Sequence, residues 1–465
     1  MGTFAIVLAA GKGTRMKTAK ENFPKVCFPL LGKPMVNYVI DTLREVKPDR
    51  ILTVVGYGGE MVSESVGEHS EIVWQKEQKG TADAVKCAYE VLGNEEGTTL
   101  ICYGDAPLMT EKTLSALLSS HRTNHNDLTI LTANFTDPYG YGRIIRESGR
   151  IKRIVEQKDC SLEEEAIHEV NTGVYAIDNR YLFDALNRLS LDQGSGEYNL
   201  TDVARLFSEE GKKVGAFVIA DASEAIGIND RYALSQAEKT LRERINKKWM
   251  LSGVTIEDPA STYIGPDVRI GVDTVVRPQT MILGKSVLGR NNIVGPSSYL
   301  ENAKLGDSNV VEFTHMVDSE VKNGSKLGPY LRIRQNSVVG NDVLLGNFNE
   351  LKNVKIGDGT FACHLSYLGD ADIGKRVNVG AGTIIANYDG VNKFHSTIED
   401  GAFIGSNSTL LSPISVGESS FIAAGSTVNK DVGPHDFAIA RARQENKEGY
   451  ADTLREKAEK KAKKQ

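Results

Sequence analysis

Aliphatic residues recur at every sixth position through much of the second half of this chain. Ile264, Ile270, Val276, Ile282, Leu288, Val294 and Leu300 keep the interval. It returns in Leu327, Ile333, Val339, Leu345 and Leu351, in Ile373, Val379 and Ile385, and in Ile398, Ile404, Leu410, Val416, Ile422 and Val428. A period of six matches neither a helix nor an alternating strand. It suits a coil of short flat strands in which every sixth side chain stacks inward. A glycine-rich sandwich with chance spacing is the competing reading. Small residues commonly follow four places after each aliphatic. Glycine often follows directly, and is expected to serve the turns, where a β-carbon would be strained. The phase slips between Leu300 and Leu305 and between Leu351 and Ile356. Larger disruptions are expected at 317–327 and 387–396. Such breaks mark loops thrown out of a coil, often beside binding sites.

The chain has 465 residues, too many for one ordinary core, so two or more domains are expected. Its net charge of -6 disfavours nucleic acid as an electrostatic partner. The five cysteines show no metal-ligand spacing, and their odd number argues against a secreted disulfide framework. The sequence lacks both a long apolar run and a signal-peptide pattern, which points to a soluble cytoplasmic protein with no membrane partner.

The first half reads as alternating strands and helices. Residues 4–9 form an apolar run that leads into Gly11, Lys12, Gly13, Thr14, Arg15 and Met16. Backbone amides of a glycine loop can surround phosphate, and Lys12 and Arg15 add charge. A surface turn after a strand is the plainer alternative. A helix is expected from Met35 to about Leu43, strands at 51–55, 71–74 and 99–103, and a further helix beginning at Gly80. Asp105, just past a buried strand, is well placed for a divalent cation beside phosphate. The alternation argues for an α/β sheet with its ligand at the strand ends. Residues 232–250 carry Leu234, Ala237, Leu241, Ile245 and Trp249 at steps of three and four, the pattern of an amphipathic helix. Such a helix makes a stiff spacer between domains. The charged residues 442–465 read as a frayed tail over ligand or solvent.

Leu8, Ala9, Ala10 and Gly11 through Met16, followed by Pro24 and Lys25, resemble the signature of the sugar-1-phosphate nucleotidyltransferases. The hexads resemble those of the hexapeptide-repeat acyltransferases. Gly80, Thr81, Tyr103, Gly104, Asp105, Tyr141, Gly142, Arg143, Glu156, Asn171, Thr172, Gly173, Gly196, Glu197, Tyr198 and the run 227–231 fit one branch. That branch is the bacterial bifunctional N-acetylglucosamine-1-phosphate uridyltransferases/glucosamine-1-phosphate N-acetyltransferases, and the similarity runs from about residue 3 to 450. It implies an α/β Rossmann-like nucleotidyltransferase domain (1–229), a linker helix (230–250), a left-handed parallel β-helix acetyltransferase domain (251–441) and the tail (442–465). It also implies a homotrimer whose acetyl site is built across subunits, a role in peptidoglycan synthesis, and Mg²⁺, UTP and acetyl-CoA as metal and co-substrates.

The resemblance assigns Leu8, Ala9, Ala10, Gly11, Gly13, Thr14, Arg15, Lys25, Gln75, Gly80, Thr81, Tyr103, Gly104, Asp105, Gly142, Glu156, Asn171 and Asn229 to the uridyltransferase substrates, with Asp105 and Asn229 also holding the metal. It assigns Arg334, Glu350, Lys352, Tyr367, Asn378 and Lys393 to the aminosugar phosphate. It places Ala381, Asn387, Tyr388, Ser406, Ala424 and Arg441 at acetyl-CoA. Histidine titrates near neutral pH, and a lone histidine is more often structural; the resemblance makes His364 the catalytic base. His315 and His395 remain surface or packing residues. Three departures stand out: a longer 17–23 segment, Asp83 where a histidine or another residue often follows Gly-Thr-Ala, and Gln335 with Asn336 in place of Pro-Gly. The competing functions are a nucleotidyltransferase for another sugar phosphate with a non-catalytic coil, and a trimerising scaffold without activity.

Overall fold

The computed structural model describes residues 2–192 and 196–463, so Lys464 and Gln465 of the charged tail lie outside the described residues. The chain divides into two compact units. One comprises Met1–Lys248 with Tyr263–Pro266, the other Trp249–Thr262 with Asp267–Gln465.

In the first unit the run at residues 4–9 becomes the strand Gly2–Ala9, flanked in parallel by Arg50–Val55 and Gly97–Tyr103. Glu71–Trp74 extends the sheet on one side. On the other side Glu169–Asp178 enters antiparallel, followed by Leu128–Asn134 and Val214–Val218. Successive side chains of a strand point to opposite faces. Phe4, Ile6 and Leu8 therefore pack into one core and Ala5, Val7 and Ala9 into another. The helix Met35–Val46 covers the second face with Val36, Val39, Ile40 and Leu43. The helix Asn179–Arg188 covers the first with Leu182, Phe183 and Leu186. With both faces closed, the open part of the sheet is the carboxyl edge of its parallel strands. The helix Arg231–Leu251 lays Ala237 and Leu241 against Met16, Phe28 and Leu30.

In the second unit the hexads wind into a parallel β-helix. Over most of the coil each strand pairs with the third strand after it, so Val275 lies over Ile293 and Ile293 over Val310. The aliphatic residues named above are all buried inside it. The disruption expected at 317–327 is absent. Met316 and Val321 are buried at shortened intervals of five residues, which carry the coil through this stretch. Within the stretch expected at 387–396, residues 388–395 do leave the coil, and Ser396 is already back in it, in register with Ala371. Tyr388 and Lys393 form an isolated bridge there, and Asp389 accepts the amides of Val391 and Asn392.

The hexad glycines meet the expectation in part, since Gly295 (φ 101°) and Gly328 (φ 95°) do turn the chain. The left-handed corners are held largely by other residues, including Asp273, Asn291, Asn302 and Ser308. Asn and Asp tolerate that conformation through local hydrogen bonding. Gly271 and Gly357 are needed for close stacking instead. A β-carbon on Gly271 would lie 2.5 Å from the Gly289 carbonyl oxygen, and one on Gly357 would lie 2.5 Å from Gly374 of the next coil. The Gln335 and Asn336 departure leaves the turn intact, because Asn336 takes the left-handed conformation (φ 61°). The charged tail is helical over Tyr450–Ala462, with no buried side chain and with Arg455 paired to Asp452. Its Ala, Glu and Lys content favours helix even without packing. No helix among the described residues is long and apolar enough to cross a membrane.

The small residues at the interior corners form a polar column. Thr274 Oγ1 donates to the Gly289 carbonyl, and Asn292 Nδ2 to that of Gly306. Asn309 Nδ2 donates to the Lys322 carbonyl at 2.8 Å, while its Oδ1 accepts the Ser325 amide at 2.8 Å. These groups are buried, so each missing partner costs about 1–3 kcal/mol. Asn309→Ala should therefore destabilise the coil by about 3 kcal/mol, with Asn309→Ser intermediate. Urea unfolding followed by circular dichroism checks this; an unmoved midpoint would remove the column from the account of stability.

Candidate active sites

At the open edge of the first unit, Leu8 lies level with Tyr103 and Ala9 with Val55. Ala10 follows, and its carbonyl accepts the Tyr57 amide. The chain then turns through Gly11 and Gly13 into the short turn Thr14–Met16. Gly13 has φ 63°, and a β-carbon there would collide with the Lys25 side chain. This glycine lets Lys25 cross beneath the loop. The Lys25 ammonium ion-pairs with Asp105 and donates to Asn229 Oδ1 at 3.1 Å. Arg15 Nη2 donates to the same amide oxygen at 2.9 Å. The backbone fixes this convergence, since the Gly104 amide donates to the Leu8 carbonyl and the Ile228 amide to that of Asp105.

A second cluster lines the same edge. Thr81 Oγ1 accepts the Leu200 amide, and the neighbouring Gly80 (φ 111°) packs against the Tyr198 backbone. Gln75 follows the strand Glu71–Trp74, and its Nε2 donates to the Gly80 carbonyl. Gly142 accepts the Asn171 amide through its carbonyl, and Asn171 Nδ2 donates to the Tyr175 hydroxyl at 2.8 Å. Burial raises the Tyr103 phenol well above its ordinary range. Burial also raises the Glu156 carboxyl, against the opposing hydrogen bond from Thr201 Oγ1.

Asp105 and Asn229 fit a divalent cation. Their oxygens converge on one point, as the Lys25 ammonium bound to both shows. Two hard oxygens completed by phosphate and water form a donor set suited to magnesium. No group of three or more His, Cys, Asp or Glu able to hold a metal occurs among the described residues.

In the second unit, Glu350 and Tyr367 lie in register on neighbouring coils. Arg334 Nη1 donates to Glu350 Oε1 at 3.1 Å. Gly369 makes room for the Tyr367 ring, since a β-carbon there would lie 2.5 Å from the Tyr367 hydroxyl. Lys352 lies beside Lys393, and this neighbouring ammonium holds Lys393 below its ordinary value. The expelled loop thus returns a cation to the coil. Asn387, at its base, donates to Asp370, whose other carboxylate oxygen accepts from Asn353 at 2.7 Å.

His364 ends the strand Phe361–His364 and is exposed. Its Nδ1 meets Asn347 Oδ1 at 3.2 Å. With Asn347 Oδ1 as the acceptor, the tautomer that makes this a hydrogen bond has the hydrogen on Nδ1 and the lone pair on Nε2. Below His364 a backbone column descends: Gly382 donates to the His364 carbonyl, Asn407 to that of Ala381 and Gly425 to that of Ser406. Ala424 and Arg441 occupy the next levels. Asn378 lies in register with Phe361, and Tyr388 is exposed on the loop. Among the described residues, no hydrogen bond joins the His364 side chain to the Arg334, Lys352 and Lys393 group. His395 faces Asp372 at 3.5 Å, and His315 stacks on Tyr299.

A family model described as nucleotidyl transferase matches residues 4–250, and one described as bacterial transferase hexapeptide (six repeats) matches residues 395–430. The chain is 46% identical over 452 residues to the bifunctional protein GlmU of Geobacillus sp., covering 97% of this chain and 98% of the relative. It is 47% identical over 451 residues to that of Exiguobacterium sibiricum, with 97% and 100% covered. The GlmU of Brevibacillus brevis is 46% identical over 457 residues, with 98% of each chain covered. This chain belongs to the bifunctional GlmU family. Its fold is a Rossmann-like nucleotidyltransferase unit followed by a left-handed parallel β-helix.

Reading the sequence for GlmU motifs left three residues unnamed. Asn347, which orients His364, lies directly beside it on the preceding coil, so coil spacing counted back from the histidine would have found it. Asp370, which ties Asn387 and Asn353 together, coincides with no motif position named above. Thr201, the partner of Glu156, carries no motif signal.

The Glu156 shift has a definite sign. Burial makes the folded chain hold this proton more tightly than the unfolded chain does. The associated stability is full below the ordinary carboxylate range and is lost as pH rises through the raised value. Glu156→Gln keeps an acceptor for Thr201 and removes the ionisation. It should unfold at a higher temperature than the parent at about pH 7.5 and at the same temperature at about pH 4. Calorimetry at both pH values checks this; an equal difference at both would reject the buried ionisation.

Proposed function

We propose that this chain makes UDP-N-acetylglucosamine in two transfers in the cytoplasm. The second unit acetylates glucosamine 1-phosphate from acetyl-CoA, and the first joins the product to UTP and releases pyrophosphate. What carries the reading is that both side-chain sets occur in one chain whose relatives align with nearly its whole length. A nucleotidyltransferase with an inert coil has no use for the paired Lys352 and Lys393 or for an oriented His364.

For acetyl transfer, Arg334, Lys352 and Lys393 receive the sugar phosphate, and Glu350, Tyr367 and Asn378 orient the aminosugar. Two ammonium groups side by side favour an anion between them. The unprotonated amine attacks the thioester carbonyl carbon. The carbon–sulfur bond breaks, and the amine proton passes to His364 Nε2 and on to the departing thiolate. Ala381, Asn387, Tyr388, Ser406, Ala424 and Arg441 hold acetyl-CoA. The hexapeptide-repeat coil, with Tyr388 exposed on a loop that leaves it, supports a homotrimer in which neighbouring copies complete each site.

For uridylyl transfer, the amides around Gly11, Gly13 and Thr14 hold phosphate, with Arg15 and Lys25 supplying charge. Gln75, Gly80 and Thr81 lie on the nucleotide side. Tyr103, Gly142, Glu156 and Asn171 form the wall for the N-acetyl sugar. Asp105 and Asn229 would hold Mg²⁺, which when bound neutralises charge near the α-phosphate. A phosphate oxygen of the sugar attacks the α-phosphorus, and the bond to the bridging oxygen of pyrophosphate breaks. Asp105→Ala should lower this activity sharply and shift its Mg²⁺ dependence to higher concentration; parental rate and metal dependence would reject the assignment.

His364→Ala tests the division of labour. Loss of a general base costs about 10²- to 10⁴-fold in rate. The variant should lose acetyl transfer by that factor while forming nucleotide sugar from ready-made N-acetylglucosamine 1-phosphate and UTP at the parental rate. Both assays on one preparation check this. Acetyl transfer within a few-fold of the parent would remove His364 from the mechanism.

A further inference from the structure

Gln75 stands at the carboxyl edge of the sheet, one residue beyond Trp74, which pairs with Val55, which in turn pairs with Ala9. It is therefore level with the start of the glycine loop. The residue is only 3% exposed, and both hydrogens of Nε2 are engaged. One goes to the Gly80 carbonyl at 3.1 Å and the other to Asp83 Oδ2 at 2.7 Å. Both partners can only accept, and this fixes which end of the amide is nitrogen. Turning the amide over would put its oxygen against a carbonyl and a carboxylate at once. Oε1 accepts nothing from the described residues, yet it is not among the buried polar atoms left without a partner. It therefore opens to solvent as an acceptor held in one orientation.

We infer that Asp83 is a positioning residue that locks the Gln75 amide with its oxygen outward, and that this lock selects uracil over cytosine in the nucleotide. The inference rests on the reading of this edge as the UTP site. The Watson–Crick edge of uracil carries one donor, N3–H, between two carbonyl oxygens. An amide that can only accept has that donor as its sole partner on the edge. Cytosine in the same pose presents a lone pair at N3, which the fixed Oε1 repels. A freely turning glutamine would meet cytosine by presenting Nε2 instead. Specificity of this kind comes from leaving a polar group unpaired against the wrong ligand. The simpler role for Asp83 is an acid in the first turn of the helix Thr81–Lys86, where the helix dipole favours it. That role predicts no effect on base choice.

The experiment measures kcat/KM for UTP and for CTP with N-acetylglucosamine 1-phosphate, in the parent and in Asp83→Ala. Removing the carboxylate leaves only the Gly80 carbonyl to oppose the turned amide. The CTP-to-UTP ratio should rise about tenfold, mainly through the KM of the two nucleotides, with the KM for the sugar phosphate unchanged. An unchanged ratio would overturn the inference. Asp83→Ser, which suits the start of a helix, gives the same readout if the alanine variant does not fold, and acetyl transfer by the same preparation reports on integrity. A parent that forms no nucleotide sugar from UTP would sink the site reading itself. A parent that does, with the ratio unmoved in the variants, would sink only the role of Asp83.

Discussion

A parallel coil must satisfy every interior backbone group from the coil above or below. The flat strands do this through their ladders, but the corners cannot, because the chain changes direction there. The column of Thr274, Asn292, Asn309 and Ser325 closes that gap, each side chain reaching the carbonyl of the next coil. The aliphatic stack fills the interior, and the polar column allows the backbone to turn around it. The candidate acetyl-transfer site depends on this spacing. His364 meets Asn347, and Glu350 meets Tyr367, because the coils stay in register.

The first unit reaches convergence by another route. Its parallel strands all end at one edge, and the chain must leave each of them by a loop. Asp105, Gln75 and the glycine loop come from three strand ends, while Asn229 comes from far along the chain. Little of the strand interior takes part. Substituting a buried position such as Ile6 would test the packing, whereas the loop positions carry the charge.

The hexads were legible because burial imposes a period, and every aliphatic residue they named is inside the coil. Reading stopped where the interior residue was not aliphatic in the expected phase. Met316 kept the coil going through a stretch that looked broken. The glycines were assigned to turns because their conformational freedom is visible in a sequence, while close approach between distant backbones is not. The family pattern named candidate residues for the chemistry but not the side chains they touch. Asn347, Asp370 and Thr201 act through side chains that touch only in the folded chain. The Asp83 departure could be seen, but its bond to Gln75 depends on a helix start meeting a strand end.

Both units hold their cations in ways that folding alone does not require. Lys352 and Lys393 stand together although an exposed lysine is free to turn away, and the loop that brings Lys393 back to the coil is braced by Asp389. Lys25 shares its ammonium between a carboxylate and an amide oxygen that Arg15 also occupies. Neither arrangement is the best that isolated side chains can find. A site that binds phosphate must arrange its cations before the anion arrives, or binding energy goes into gathering them. Lysines at the end of long stems gain most from this, since each freezes several rotatable bonds when it is held. The expelled loop and the Gly13 crossing are the backbone features that hold these cations in place. One is a break in the periodicity of the coil and the other a glycine over Lys25, so in each case the backbone gives way where a cation is held.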